Sequence, residues 1–331
     1  MSKKIKDTDY LVISARIRAM ETGLLTGERM EQILAARSDE EVVKLLREGG
    51  YPTMSLASPE AMDAAITAAR EETLQDLGDS APDKQYLDIF KLKYDYHNIK
   101  AILKAQAMDQ DPDHMLADLG RIPAAELKEA ITGGDMNQLS PLLAAAIAEA
   151  KEVLEATRDP QLGDIVVDRW MYRDEMETAE ATGSQFLLGY VRVSIDAANL
   201  RSLVRTLRMG KNAAFLEGVL FSGGTVDESE ILTVAGNNGG GLAELYASTE
   251  LKNAAQAGAD ALKGGALTEF EKLCDDAVSG YLSGAQMVAF GEAPLIGYLA
   301  ARETEYTNLR ILLMGRAAGL DPDTIRARLR T

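Results

Sequence analysis

Apolar residues recur at helical spacing along much of the chain, as in PEAMDAAITAAREETLQDL (59–77) and PLLAAAIAEAKEVLEA (141–156). Five of the nine prolines follow a Ser or Asp: Ser58-Pro59, Asp111-Pro112, Ser140-Pro141, Asp159-Pro160 and Asp321-Pro322. A capping oxygen followed by proline predicts a helix start, because the N–H that proline lacks would have had no intrahelical partner. Ser38-Asp39-Glu40-Glu41 predicts a capping box opening DEEVVKLLREGG, with Gly49-Gly50 as the stop. Strand signal is weak: 165–167 and 186–193 are the best candidates, and both suit a buried helix equally well. The pattern predicts an all-α protein.

The pattern also repeats. DYHNIKAIL, DAANLRSLV and EYTNLRILL align without gaps on Asn98, Asn199 and Asn308. Three positions before the asparagine stands Asp95, Asp196 or Glu305; two after it stands Lys100, Arg201 or Arg310. Ile99, Leu200 and Leu309 follow the asparagine directly, and Ile102–Leu103, Leu203–Val204 and Leu312–Leu313 come next. The same alignment pairs Met115, Leu216 and Ile325, then Leu119, Leu220 and Leu329; two copies share Asp-Pro-Asp, at 111–113 and 321–323. Three of only eight asparagines occupy this slot, which makes chance a poor explanation. The copies lie 101 and 109 residues apart, too far for a TPR or HEAT solenoid. They imply units at 1–119, 120–220 and 221–331, where length alone, 331 residues, would suggest about two domains.

On a helix, the acid and the asparagine share a face beside the apolar stripe. Asparagine is a mediocre helix former, so its recurrence in one register predicts a specific hydrogen bond. The favoured reading is architectural, a buried polar pair that fixes how each motif helix seats on its neighbours. The competing reading is a carboxylate–amide ligand site used three times.

Composition narrows the function. Hydrophobic residues at 46% and charged residues at 26% are globular values, and 5% aromatics agrees with helix over sheet. The net charge of −17 argues against nucleic acid or anionic lipid as a direct partner. The longest apolar runs, such as 142–148, fall far below a bilayer span, so a soluble chain without direct bilayer insertion is expected. The basic ends, Lys3, Lys4 and Lys6, then Arg326, Arg328 and Arg330, read as solvated termini.

Catalytic and cofactor motifs are not found. Met209-Gly210-Lys211-Asn212 has neither the glycine loop nor the hydroxyl of a P-loop. The cluster Gly236–Gly241 reads as an inter-helix loop, since no strand leads into it. His97 and His114 lack metal-site spacing, and His97 faces Ala198 and Thr307 in the sister copies. Cys274, the single cysteine, has acidic neighbours that oppose thiolate formation and reads as a buried, inert thiol. Trp170 suits an interface or a core. No enzyme, metal site or cofactor is expected.

Three stretches resemble a known family: YLVISARIRAMETGLL (10–25), with Arg16, Arg18, Glu21 and Leu24-Leu25; YDYHNIKAILKAQ (94–106); and GEAPLIGYLAARETEYTNLRILLMGRAAGL (291–320), with Pro294, Tyr298, Glu303, Glu305, Asn308, Arg310 and Gly315. They are similar to the C subunits of A/V-type ATP synthases, a family that includes the d subunits of eukaryotic V-ATPases, over nearly the whole chain. The resemblance implies an all-helical funnel of three pseudo-symmetric lobes forming a single body. It implies a non-catalytic socket, one copy per complex, on the cytoplasmic side. The socket would receive the central-stalk subunits D and F at one end and rest on the membrane ring of c-type (K) subunits at the other. Torque would pass through it between the nucleotide-hydrolysing head and a ring carrying H⁺ or Na⁺. The alternatives are a helical scaffold or adaptor unrelated to the ATPase, and a helical enzyme with a carboxylate site of unfamiliar form.

Overall fold

The computed structural model describes residues 6–330, so Lys3 and Lys4 lie outside the described residues. Within them the backbone forms helices and no strand. In chain order these are α1 (Leu11–Glu21), α2 (Gly27–Ala35), α3 (Asp39–Glu48), α4 (Pro59–Ser80), α5 (Gln85–Ala107), α6 (Ala124–Gly133), α7 (Pro141–Thr157) and α8 (Pro160–Thr182). Then come α9 (Gln185–Arg208), α10 (Ala213–Glu217), α11 (Glu228–Gly236), α12 (Leu242–Leu245), α13 (Lys252–Leu262), α14 (Leu267–Ser283), α15 (Glu292–Ala317) and α16 (Pro322–Arg326). Both strand candidates are helical, inside α8 and α9, where Val166, Val167, Leu187, Val191 and Val193 are buried. Burial of these β-branched and aliphatic side chains outweighs their small helix penalty.

Four of the five Ser/Asp-Pro pairs start helices as predicted. Ser58, Ser140, Asp159 and Asp321 each accept a backbone N–H from the first turn, with the proline at its start. Asp111-Pro112 does not cap an α-helix; Asp111 Oδ1 accepts the Asp113 N–H and introduces a 3-10 turn, Asp113–Met115. At Ser38 the box is half as expected. Ser38 Oγ accepts the Glu41 N–H, but the Glu41 carboxylate reaches one residue further back, to the Arg37 N–H at 2.8 Å.

Contacts gather the chain into two compact units, one joining residues up to 84 with those from 271, the other 85–270; the second boundary falls inside α14. In the first unit, α15 packs against α1, α2, α4 and α16. Its core joins Ile33, Val42, Leu46 and Ile66 to Leu309, Leu312 and Leu313. In the second unit, α8 packs along α5, α7 and α9, and α13 lies on α9. Here Ile99, Ile102 and Leu103 meet Leu127, Ile131, Leu143, Ile147 and Val167. The apolar stripe beside each repeated asparagine is therefore core in every copy, with Leu200, Leu203 and Val204 also fully buried.

Candidate functional site

The repeated acid–asparagine pair lies on α5, α9 and α15, the helices around which the two units are packed. All six side chains are buried. Each asparagine uses both ends of its amide on one backbone residue. Asn98 donates from Nδ2 to the Ala117 carbonyl at 2.8 Å and accepts the Ala117 N–H at 2.9 Å. Asn199 grips Phe221 the same way, at 2.8 and 2.8 Å. Asn308 grips Arg330 at 2.9 and 2.8 Å. An amide carries a donor and an acceptor side by side without needing a proton from solution, which accounts for asparagine in a helix interior.

The acids serve the turn that follows. Asp95 Oδ1 accepts the N–H groups of Arg121 and Ile122 at 2.9 and 3.2 Å. Asp196 Oδ1 accepts those of Thr225 and Val226 at 2.9 and 3.1 Å, and the Thr225 hydroxyl donates to Oδ2. Gly120 and Gly224 make this approach possible. A Cβ on either would stand 2.1 or 2.2 Å from the aspartate oxygen. Glu305 holds a turn from the far end of the sequence: its Oε2 accepts the Leu25 N–H at 2.7 Å, and its Oε1 accepts the Tyr51 hydroxyl. The third copy is thus completed by residues 280 and 254 positions earlier in the chain. In each copy the held turn leads into a helix: α6 after Ile122-Pro123, α11 after Val226-Asp227 and α2 after Leu25-Thr26.

The surroundings of the acid differ. In the first copy, Arg121 bridges Asp95 and Asp174 of α8, at 2.7 Å to each, and Tyr96 donates to Asp174 at 3.0 Å. In the third, Arg302 contacts Glu305 and the Tyr306 hydroxyl and lies over the rings of Tyr51 and Tyr306, 5.2 and 4.7 Å from their centroids. Burial pushes the Asp95 and Asp196 carboxyls up from the ordinary range. Arg121 opposes this at Asp95, and Thr225 with the backbone N–H groups opposes it at Asp196. Of the motif's basic residues, Lys100 ties its helix to Asp168 at 2.7 Å and Arg310 to Asp63 at 2.9 Å. Arg201 is half-buried on α9.

The acid–amide oxygens and nitrogens are thus spent on the protein's own backbone and on neighbouring side chains. Among the described residues no group of three or more His, Cys, Asp or Glu is placed to hold a metal ion. Cys274 is fully buried. His97 is exposed, its Nε2 3.1 Å from the Met115 carbonyl oxygen. Trp170 is half-buried, donating to Glu149 at 2.7 Å with Arg173 stacked over its ring. The Gly236–Gly241 cluster makes a tight turn between α11 and α12, with Asn238, Gly239 and Gly241 at positive φ.

The profile of the ATP synthase (C/AC39) subunit family matches residues 13–328. The chain belongs to this family. Similar proteins include the C subunit of the V-type sodium ATPase of Enterococcus hirae, 25% identical over 97% of this chain and 98% of that protein. The C subunit of the A-type ATP synthase of Methanocaldococcus jannaschii is 24% identical over 97% of this chain and 86% of its own length. That of Haloferax volcanii is 22% identical over 97% of both. In this C/AC39 chain the other residues that resemble the family are tied into the fold: Arg16 to Asp76, Glu303 to Arg70 at 2.9 Å, and Gly315 against Ile325, where a Cβ would stand 2.8 Å from the side chain.

Sequence reasoning missed the receiving side of each clamp. Arg330, expected to be a solvated end, is half-buried. Asn308 holds its backbone, and its guanidinium pairs with Asp275 at 2.7 Å. Arg326 pairs with Glu31 and Asp323 but is exposed, as Lys6 and Arg328 are. Arg121, Asp174 and Arg302 were also passed over. The signal available was Gly-x-aliphatic followed by a helix start: Gly120-Arg-Ile, Gly224-Thr-Val and Gly23-Leu-Leu.

Proposed function

We propose that this chain is the non-catalytic socket of the central rotor in an A/V-type ATP synthase. It joins the stalk subunits D and F to the membrane ring of c-type (K) subunits, on the cytoplasmic side and as one copy per complex. The observation that carries the reading is the clamp-and-cap geometry repeated on α5, α9 and α15, in a chain of this family. A torque coupling needs helices locked in register and no reacting group, and buried amides that pin backbone on both N–H and C=O supply that locking. The three-repeat division at 1–119, 120–220 and 221–331, built into a funnel, belongs to the same proposal. No helix among the described residues is long and apolar enough to cross a membrane, so attachment to the ring is through protein contact.

The test is a complex assembled with and without this chain. ATP hydrolysis by the head should persist without it, while ATP-driven ion transport into vesicles should disappear and return on adding it back. Transport that is indifferent to the chain overturns the proposal and favours an unrelated helical adaptor.

A further inference from the structure

In the unit built from both ends of the chain, a cleft of about 510 Å³ opens beside the third clamp, bounded by α1, α4, α15 and the turn at 49–52. That volume suits a side chain or a small ligand. Four charged residues line it: Arg302, and from α4 Glu72, Asp76 and Asp79, whose spacing puts all three acids on one helix face. Two of the four are neutralised, Asp76 by Arg16 at 2.5 Å and Arg302 by Glu305. Glu72 and Asp79 are exposed and have no partner among the described residues. The other cations of these elements do not offset them. Arg18 is paired with Glu21, Arg29 with Glu48 and Arg70 with Glu303, and Arg47, just before the turn, does not line the cleft.

Acids on a helix face are ordinary; Tyr298 sets this cleft apart. The residue is only 5% exposed, yet its hydroxyl has no hydrogen-bond partner among the described residues and opens onto the cleft. A tyrosine buried to this extent usually has its O–H paired. Burial raises its hydroxyl above the ordinary value, against the pull of Arg302, so the oxygen is a neutral acceptor. The occupant that satisfies both features is a cation bearing N–H donors. A bare metal ion does not fit, because no group of three or more His, Cys, Asp or Glu among the described residues is placed to hold one. Glu72 and Asp79 stand about 10 Å apart along α4, too far to share a single ion. We propose that this cleft receives the Lys or Arg side chain of a neighbouring subunit of the complex, drawn in by Glu72 and Asp79 and donating an N–H to the Tyr298 hydroxyl oxygen. Opposite charge at such a contact sets orientation and partner choice. The inference rests on the rotor reading above and adds where a partner engages this chain and by what chemistry.

The experiment uses three variants of the full chain. Glu72→Gln with Asp79→Asn removes the free charges, and Tyr298→Phe removes only the hydroxyl. Glu71→Gln is the control, an exposed neighbour that does not line the cleft. All should melt with the wild type, since none of the replaced groups has a partner in the fold. Each chain is titrated into the otherwise complete ATPase lacking this subunit. Binding should weaken about tenfold in the double variant and roughly threefold in Tyr298→Phe, and stay unchanged in Glu71→Gln. Added salt should weaken the wild type more than the double variant. A double variant that binds like the wild type overturns the cleft while leaving the rotor reading intact. Equal weakening by Glu71→Gln does the same, because net charge rather than a site would then be at work. A wild-type chain that does not bind at all overturns the rotor reading, and the cleft's occupant with it. Spermidine titrated onto the chain alone is the last arm. Tight binding to the wild type, lost in the double variant, overturns the subunit side chain in favour of a free amine.

Discussion

A single amide illustrates how much this architecture asks of one side chain. Asn199 satisfies both the N–H and the C=O of Phe221 in a buried setting. Asn199→Ala leaves two backbone groups without partners, and each such loss costs about 1–3 kcal/mol. The variant should unfold about 2–4 kcal/mol more readily in urea, read from the shift in midpoint at constant slope. Glu175 of α8 makes a second prediction. Burial raises its carboxyl to about 8; Lys93 pulls it down, and Asp174 and Asp168 push it up. The folded chain therefore keeps a proton on Glu175 up to about pH 8, whereas the unfolded chain releases it near the ordinary 4.5. Stability is full below that value and falls as pH rises through the window. Glu175→Gln should melt with the wild type at pH 4.5 and above it at pH 8.5. A difference independent of pH would refute the assignment. Neither Glu175 nor Arg121 was legible in the sequence. Among 52 acids and 35 basic residues, nothing local tells a buried charge from a solvated one.

At the scale of elements, the repeat extends beyond the residues that revealed it. All three motif helices end alike, with a six-residue return bond: Gln110 N–H to the Ala105 carbonyl, Lys211 to Thr206 and Leu320 to Gly315. The left-handed residue of that ending is Gly210 or Gly319 in two copies but Asp109, at φ 52°, in the first. Gly lacks the Cβ penalty there. Asp109→Gly should stabilise, and Gly210→Ala should destabilise, each by about 1 kcal/mol in thermal unfolding. The elements also show where gap-free alignment fails. The clamp spans 22 residues in the second and third copies but 19 in the first. The first copy replaces the five-residue α10 or α16 with the three-residue turn Asp113–Met115. Leu116, directly before the clamped residue, thus takes the place of Leu220 and Leu329, which sequence alignment gave to Leu119. Helix starts were readable because capping chemistry is local. The slip was not, because its only witness is a hydrogen bond between distant residues.

At the scale of the molecule, chain order and spatial order part company. Residues up to 84 and those from 271 form one compact unit, in which Glu305 holds Leu25 and Tyr51, and Arg302 lies over Tyr51 and Tyr306. Removing residues 1–52 should leave the amides of α5 and α9 protected from hydrogen exchange while those of α15 lose protection. Uniform loss across all three would contradict the two-unit description. Three similar segments in the sequence suggest three equal blocks, and periodicity alone cannot reveal that the last is completed by the first.

The hold of Glu305 on Leu25 also sets a timetable for synthesis. At about 5–20 residues per second, a ribosome needs roughly 15–55 s to travel the 280 residues between the two partners. During that interval the emerging chain already contains every residue of α5 to α13, whose contacts are nearest in order, while the opening helices wait for α15. Their apolar faces, Ile33, Val42, Leu46 and Ile66 among them, lack the part of the core that Leu309, Leu312 and Leu313 supply until α15 leaves the exit tunnel.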